Sequence, residues 1–273
     1  MSTFSVPTLA DMIAQGQTPE VLFWVGCAGS FDDRAKRITK AIARILHHCE
    51  VPFAVLGAEE SCTGDPAKRA GNEFLFQMQA AQNIAVLNGY EVKRIVTGCP
   101  HCFNVLKNEY PELGGNYEVM HHTQFIRDLI DQGRLKVADG NPFKGRRITF
   151  HDPCYLGRGN GEYAAPREVL STLDAELVEM RRCKQNGLCC GAGGAQMFKE
   201  AEKGNREVNH ERTDDVLDAN PQVLATGCPF CNTMMTDGVK NAERESSIDV
   251  KDIAELIAEA ADLVPSSTSQ DTP

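Results

Sequence analysis

Short apolar runs alternate with longer amphipathic stretches along this chain. Runs of apolar residues predict strands at residues 21–25, 94–97, 147–151 and 222–226. Apolar side chains that recur at spacings of three and four predict helices at residues 38–49, 66–87, 122–130 and 250–258. Strands that alternate with helices favour parallel βαβ layers, so the pattern predicts an α/β fold.

Four cysteines recur in the same order in the two halves of the chain. At offsets of 127, 127, 129 and 129 residues, the second half repeats Cys27, Cys62, Cys99 and Cys102 as Cys154, Cys189, Cys228 and Cys231. The neighbours repeat too, because Thr-Gly-Cys-Pro-x-Cys spans residues 97–102 and 226–231. We therefore predict an internal duplication with repeats over residues 20–140 and 146–262, followed by a disordered tail over 265–273 that is rich in Ser, Thr and Pro.

Both groups of cysteines fall just beyond predicted strands. Ligands of parallel sheets gather in the crevice outside the carboxyl ends of the strands. The expected architecture is therefore two pseudo-symmetric, Rossmann-like βαβ halves, each with a metal site at its strand ends.

Charge and hydropathy narrow the class of function. The net charge of -10 disfavours nucleic acid or anionic lipid as a partner, because those surfaces recruit Lys and Arg. No apolar run approaches the roughly 20 residues of a membrane span, and residues 1–20 lack a secretory pattern. We expect a cytoplasmic protein that reaches a membrane through a partner. In a reducing compartment, clustered cysteines are more often metal ligands or catalytic groups than structural bridges.

The cysteine pattern suits an iron–sulfur cluster. Such a cluster needs several thiolates from distant loops, and a Cys-x-x-Cys turn supplies two of them together. A turn between a strand and a helix also places sulfur near the helix N-terminus, which favours thiolate. Two other chemistries stay open, since four cysteines also suit Zn²⁺ and since Cys99-Pro-His-Cys102 alone could be a dithiol redox pair.

The second half resembles a known family. Cys154, the run Cys189-Cys190-Gly191 and the turn Cys228-Pro-Phe-Cys231 resemble the cysteine-rich CCG domain found in the B subunit of heterodisulfide reductase. Similar domains occur in the anaerobic glycerol-3-phosphate dehydrogenase C subunit, in lactate-utilisation iron–sulfur proteins, and in iron–sulfur partners of electron-transfer flavoprotein. The stretches 151–158 and 189–194 are most similar to the flavoprotein-linked group, and the resemblance covers about residues 20–262.

The resemblance implies two unequal metal sites. It implies a [4Fe–4S] cluster, non-cubane in that family, held by Cys154, Cys189, Cys190, Cys228 and Cys231, with Cys189 and Cys190 as the catalytic pair. The first half departs from the family, because Thr63 stands where the second half has Cys190. Its four thiols suit either a [4Fe–4S] cluster or Zn²⁺, and they are Cys27, Cys62, Cys99 and Cys102.

The expected function is that of a heterodisulfide reductase B-like iron–sulfur subunit, which passes electrons within an oxidoreductase complex. Its donor would be a flavoprotein or a ferredoxin-type protein, its acceptor a quinone or a disulfide, and its partners the other subunits, including a membrane quinone-linked one. The alternatives are a zinc-stabilised, non-catalytic assembly subunit and a dithiol–disulfide oxidoreductase. We expect Cys49 to be a core residue, Cys183 a non-ligand, and His101 and His151 structural.

Overall fold

The computed structural model describes residues 5–200 and 203–264; the tail predicted over 265–273 lies outside these ranges. The strands are β1 (Val21–Trp24), β2 (Phe53–Ala54), β3 (Arg94–Thr97), β4 (Glu118–His121), β5 (Arg147–Phe150), β6 (Glu176–Leu177), β7 (Val223–Thr226) and β8 (Asp249–Asp252). The helices are α1 (Leu9–Ala14), α2 (Gly26–Phe31), α3 (Asp33–His48), α4 (Asp65–Arg69), α5 (Glu73–Gly89), α6 (Pro100–Asn104), α7 (His122–Asp131), α8 (Gly157–Asn160), α9 (Ala164–Ser171), α10 (Val208–Ala219), α11 (Pro229–Asn241) and α12 (Ile253–Ala260).

Within the described ranges the strands form two parallel, four-stranded sheets with one shared topology. The strand order is β2-β1-β3-β4 in the first half and β6-β5-β7-β8 in the second. The chain leaves β1 toward one edge and crosses back to place β3 on the other side, so the strand order reverses between β1 and β3. The same reversal lies between β5 and β7. Each half is thus a mixed α/β unit with its own topological switch point.

The central strands are apolar because both faces of each sheet are covered. Successive side chains point to opposite faces of the sheet, so Leu22 and Trp24 enter one core while Val21 and Phe23 enter the other. The first core surrounds most of the cysteines, and the second fills the space between α3, α7, α9 and α12. Both cores contain residues of both halves, so the two sheets share their hydrophobic interior.

The predicted elements differ from the observed ones in places. Gly71, at φ +88°, interrupts the helix predicted over 66–87, so α4 and α5 are separate. The helix predicted over 250–258 is wrong at its start, because Val250 belongs to β8 and Asp252 caps α12. The sequence pattern also missed the outer strands β2, β4, β6 and β8. In the part of the chain that the structure describes, no helix combines the length and apolar character needed to cross a membrane.

Candidate metal centre

The cysteines gather at the two switch points. Cys27 follows β1 and Cys99 follows β3, and these two strands are hydrogen-bonded neighbours. Cys154 and Cys228 follow β5 and β7 in the same way. The remaining sulfurs arrive from the Cys-Pro-x-Cys helices and from the loops that carry Cys62 and Cys189-Cys190. All eleven cysteines of the chain fall within the described ranges, and all are free.

In the second half, the five predicted ligands form one continuous group. Cys190 Sγ lies 3.3 Å from Cys231 Sγ. Cys189 makes hydrogen bonds with Cys154 and Cys190, and Cys231 with Cys228. The backbone N–H of Gly191 donates to Cys189 Sγ at 3.3 Å, and this turn needs glycine because its φ is +94°. The structure therefore brings together all five sulfurs that the sequence assigned to this site.

In the first half, a hydroxyl takes the position of the missing thiol. Thr63, 1% exposed, donates from Oγ1 to Cys102 Sγ at 3.8 Å, as Cys190 contacts Cys231 in the second half. Cys27 and Cys62 share a hydrogen bond, and so do Cys99 and Cys102. The four predicted sulfurs of this half thus also lie near one another, and the threonine adds a contact to Cys102.

The two groups touch. The thiols of Cys99 in the first group and Cys228 in the second lie close enough to shift each other's pKa. His121, at the end of β4, approaches the carbonyl oxygen of Gly227 with Nε2 at 3.1 Å, just before Cys228. These contacts join the first half to the turn that carries two cysteines of the second. The nine sulfurs therefore form two groups side by side rather than two remote sites.

Crowding of the sulfurs separates their pKa values. The hydrogen bond from Cys27 lowers the pKa of Cys62 to about 7. Hydrogen bonds from Cys154 and Cys190 lower the pKa of Cys189 far below that of a free thiol, while Cys189 in return raises the pKa of Cys190 to about 12. In each group one thiol ionises readily, and its negative charge then opposes ionisation of the neighbouring thiols. All the thiols of such a group ionise together when a bound cationic group, such as a metal ion, offsets their negative charge.

A buried chain of histidine, arginine and aspartate adjoins the second group. A ring nitrogen of His151 lies within 4.8 Å of the sulfurs of Cys190 and Cys231. Arg212 Nε donates to His151 Nδ1 at 3.1 Å, and Arg212 Nη1 pairs with Asp215 at 3.0 Å. All three side chains are fully buried. Burial lowers the pKa of His151 to about 3, so its imidazole is neutral beside the sulfurs.

The surroundings of the first group differ. Glu60 accepts hydrogen bonds from the backbone N–H groups of Val25 and Gly26 at 3.0 and 2.6 Å, beside Cys27. Burial raises the pKa of Glu60 to about 7. Gly26 adopts φ +77°, and a Cβ there would lie 3.3 Å from Cys102 Sγ, so the backbone passes close to the sulfurs. The first group therefore has a carboxyl group beside it, whereas the second has a histidine that is bonded to an arginine.

His101 lies between the two groups. It bonds Asp65 through Nδ1 at 2.8 Å and packs on Tyr155, with ring centroids 4.3 Å apart. Burial lowers the pKa of His101, but the hydrogen bond to Asp65 and the charges of Cys99 and Cys189 outweigh it, so the pKa is raised overall. This residue ties the first Cys-Pro-x-Cys turn to α4 and to the loop after Cys154.

Apolar grooves reach the first group from the surface. One, of about 310 Å³, is lined by Cys27, Phe31, Phe198 and Phe230 among others. Another, of about 370 Å³, adjoins Cys62 and shares Phe198. Phe31 is 83% exposed and Phe198 60%, whereas Cys228 and Cys231 are enclosed. Cys27 and Cys62 are thus closer to the surface than the Cys-Pro-x-Cys sulfurs of either half.

The remaining cysteines match their expected roles to different degrees. Cys49, 5% exposed at the end of α3, belongs to the core, as predicted. Cys183 lies beside Glu179 and Asp152, and its status as a non-ligand stays a prediction. Sequence reasoning missed Arg212 and Glu60 altogether. Neither carries a signal in the sequence, because nothing in a polar stretch marks which charged residue is buried.

Comparison with known proteins places the repeat in a family. A family model described as "Cysteine-rich domain" matches twice, over residues 21–107 and 148–236. The chain is 46% identical over 251 residues to the EtfAB:quinone oxidoreductase of Syntrophomonas wolfei subsp. wolfei, covering 90% of this chain and 35% of that protein. It is 45% identical over 256 residues to the probable iron-sulfur-binding oxidoreductase FadF of Bacillus subtilis, covering 93% and 36%.

A more distant relative comes from a heterodisulfide reductase. The chain is 35% identical over 251 residues to the D subunit of the dihydromethanophenazine:CoB--CoM heterodisulfide reductase of Methanosarcina barkeri, covering 89% of this chain and 59% of that protein. The sequence motif pointed to the B subunit of such an enzyme, whereas this relative is a D subunit. The chain spans little more than a third of the length of the first two relatives. The resemblance to the cysteine-rich iron–sulfur family is confirmed.

Proposed function

The chain belongs to the cysteine-rich domain family, and from that premise we propose that it is an iron–sulfur electron-transfer subunit of an oxidoreductase complex. The observation that carries the proposal is the convergence of nine cysteine sulfurs into two touching groups at the switch points of two parallel sheets. Each half is, on this proposal, a Rossmann-like unit with a metal site at its strand ends.

The donor sets fit the proposed clusters. Thiolate sulfur is the ligand that iron–sulfur clusters take in proteins. We assign Cys154, Cys189, Cys190, Cys228 and Cys231 to a [4Fe–4S] cluster of the second site, with the non-cubane form as the specific hypothesis for five thiolates. Cys27, Cys62, Cys99 and Cys102 would hold a [4Fe–4S] cluster at the first site, or Zn²⁺. A bound cluster would supply the one-electron chemistry that these side chains do not provide themselves.

The protein's own contribution is ligation, burial and hydrogen bonding. Cys190, Cys228 and Cys231 are buried, which limits water around these three sulfurs and makes local charges there more effective. The N–H groups of Gly191 and Gly64 point at Cys189 and Cys62. Such donors stabilise negative charge on sulfur and so favour the reduced state. The proximity of Cys99 and Cys228 would allow direct electron exchange between the two proposed clusters.

We propose a flavoprotein or ferredoxin-type protein as electron donor and a quinone or a disulfide as acceptor. The names of the relatives support this choice, since they include a quinone oxidoreductase and a component of a heterodisulfide reductase. Either acceptor takes up two electrons and two protons. For the disulfide version, Cys189 and Cys190 are the catalytic pair. Partners are then the remaining subunits, and a cytoplasmic chain would reach the membrane through one of them.

Metal and sulfide analysis of anaerobically purified protein tests the proposal. We expect brown protein with roughly four irons and four acid-labile sulfides per loaded cluster. Cys190→Ser should remove the signal of the second site in electron paramagnetic resonance and the electron-transfer activity. Cys49→Ala is the matched control, because Cys49 is buried in the core away from the sulfur groups, and it should change neither.

The same measurement separates the rival functions. Colourless protein with bound zinc and no sulfide would favour a zinc-stabilised assembly subunit. Metal-free protein in which Cys99 and Cys102 titrate reversibly would favour a dithiol oxidoreductase. Either result contradicts the proposed function. Zinc found at the first site alone would restrict the proposed iron–sulfur cluster to the second site.

A further inference from the structure

We propose that His151 donates a hydrogen bond from Nε2 to sulfur of the second site, and that Arg212 holds it in the tautomer that can do so. This inference rests on the proposed function, since it assigns a residue that tunes the second cluster. His151 is then a positioning residue and not a ligand.

The geometry places His151 against the sulfurs. One of its ring nitrogens lies within 4.8 Å of the sulfurs of Cys190 and Cys231, which are 3.3 Å from each other. The ring is fully buried, and Nε2 has no hydrogen-bond partner anywhere in residues 5–200 and 203–264. A buried N–H without a partner is costly. Sulfur of a bound cluster or of a ligating thiolate would satisfy it.

Arg212 decides which nitrogen carries the proton. Its Nε–H donates to His151 Nδ1 at 3.1 Å, so Nδ1 is the acceptor and the ring proton belongs on Nε2. A protonated Nε2 donates and does not ligate a metal. Asp215 fixes Arg212 in turn, through Oδ2 at 3.0 Å from Nη1. The chain Asp215, Arg212, His151 thus ends in one N–H donor on a ring that lies beside the sulfurs, in the manner of the outer partners that orient groups around metal sites.

The first half carries a different donor at the matching position. Trp24 stands 127 residues before His151, at the same step from the first cysteine of its half. Its indole Nε1 is likewise buried and has no partner within the described chain. Asn83, 129 residues before Arg212, is buried there and bonds the carbonyl oxygen of Cys62 at 3.0 Å. The imidazole of His151 and the buried Arg212 beside it therefore belong to the second site, and the matching positions of the first half hold other residues.

A hydrogen bond to cluster sulfur stabilises the more negative, reduced state and raises the reduction potential. Removing the donor with His151→Leu should lower the equilibrium constant for reduction of the second site about tenfold. For a one-electron couple that is about 59 mV. His151→Gln keeps an N–H donor and should leave the reduction potential of the second site close to its wild-type value. The reduction potential of the first site in the same molecule should not change.

The test is a redox titration of the anaerobically purified, cluster-loaded protein, followed by electron paramagnetic resonance. The signal of the second site is the one lost in Cys190→Ser. The matched control is His210→Leu, since His210 of α10 bonds Asn241 near the surface. We expect the potential of the second site to fall in His151→Leu, to recover in His151→Gln and to stay unchanged in His210→Leu. An unchanged potential in His151→Leu overturns the inference.

Wild-type protein labelled with ¹⁵N-histidine gives a readout that does not depend on any variant folding. Pulsed electron paramagnetic resonance should detect a weak coupling from one histidine nitrogen outside the ligand set. A strong coupling from a directly bound nitrogen, or none, overturns the inference. A protein without iron and sulfide refutes the proposed function itself, whereas an iron–sulfur protein with unaltered potentials refutes only the role of His151.

Discussion

The single residue that distinguishes the two cysteine sets is the most informative one to exchange. Thr63→Cys gives the first set a fifth thiol, and Cys190→Thr leaves the second with four. Thr63 Oγ1 lies 3.8 Å from Cys102 Sγ, and Cys190 Sγ lies 3.3 Å from Cys231 Sγ. The new sulfur at residue 63 therefore matches the sulfur of Cys190 in the other half. The new hydroxyl at residue 190 likewise matches the hydroxyl of Thr63.

The exchange should leave the fold intact. Both positions are buried, at 1% and 2% exposure, so Thr63→Cys loses one buried methyl group. That loss costs about 1 kcal/mol, against a native stability of about 5–15 kcal/mol. In a chain of this size the melting temperature should fall by about 2–4 °C. A change in metal content or spectrum can then be attributed to the ligand set.

Electron paramagnetic resonance of the two variants and the double variant is the assay. If the number of thiolates defines the cluster, Thr63→Cys should make the first site spectroscopically like the second. Cys190→Thr should abolish the distinctive spectrum of the second site. Wild-type spectra with wild-type iron content in both single variants would refute the reasoning, because the fifth cysteine would then play no part.

Other expectations follow from the packing around the site. Asp215→Asn leaves Arg212 buried beside a neutral partner and should cost about 3 kcal/mol or more in urea unfolding. Burial raises the pKa of Asp215, but its arginine partners lower it overall, so this loss should be full above about pH 4 and shrink as the pH falls through the lowered pKa. Gly238→Ala places a Cβ on Thr213 Oγ1 where α10 and α11 cross, and should cost about 1–3 kcal/mol. Adding Thr213→Ala should recover most of that loss; equal stabilities of the single and double variants would contradict the clash. Cys49→Ala should lower the urea midpoint while leaving the iron content unchanged.

The convergence of the cysteine sulfurs was predictable because the cysteines leave a repeated pattern in the sequence. Cys27 and Cys154 recur with their partners at nearly constant offsets, and the turns that bear them follow apolar strands. Once the strands are parallel and adjacent, their carboxyl ends meet at one edge. Convergence of each set therefore needed no knowledge of side-chain packing. That Thr63 would reproduce the contact made by Cys190 was not apparent, because a threonine shows no preference for sulfur.

The surroundings of the sulfurs were beyond prediction for physical reasons. Arg212 sits in a strongly polar helix, and arginine is mostly exposed unless a specific partner takes it into the interior. Its partners Asp215 and His151 meet it only through tertiary packing. The strands β2 and β6, of two residues each, are too short for any periodicity to register. Gly71 could have marked the end of α4, since a glycine in a helical pattern often ends the helix.

Iron and acid-labile sulfide, measured per chain on protein purified without oxygen, show whether the cysteine sets hold iron–sulfur clusters. We expect brown protein with roughly four irons and four sulfides for each iron-loaded cysteine set. We also expect a paramagnetic signal that Cys190→Ser removes and Cys49→Ala does not. Colourless protein that holds zinc at both sets and contains no sulfide would contradict this expectation.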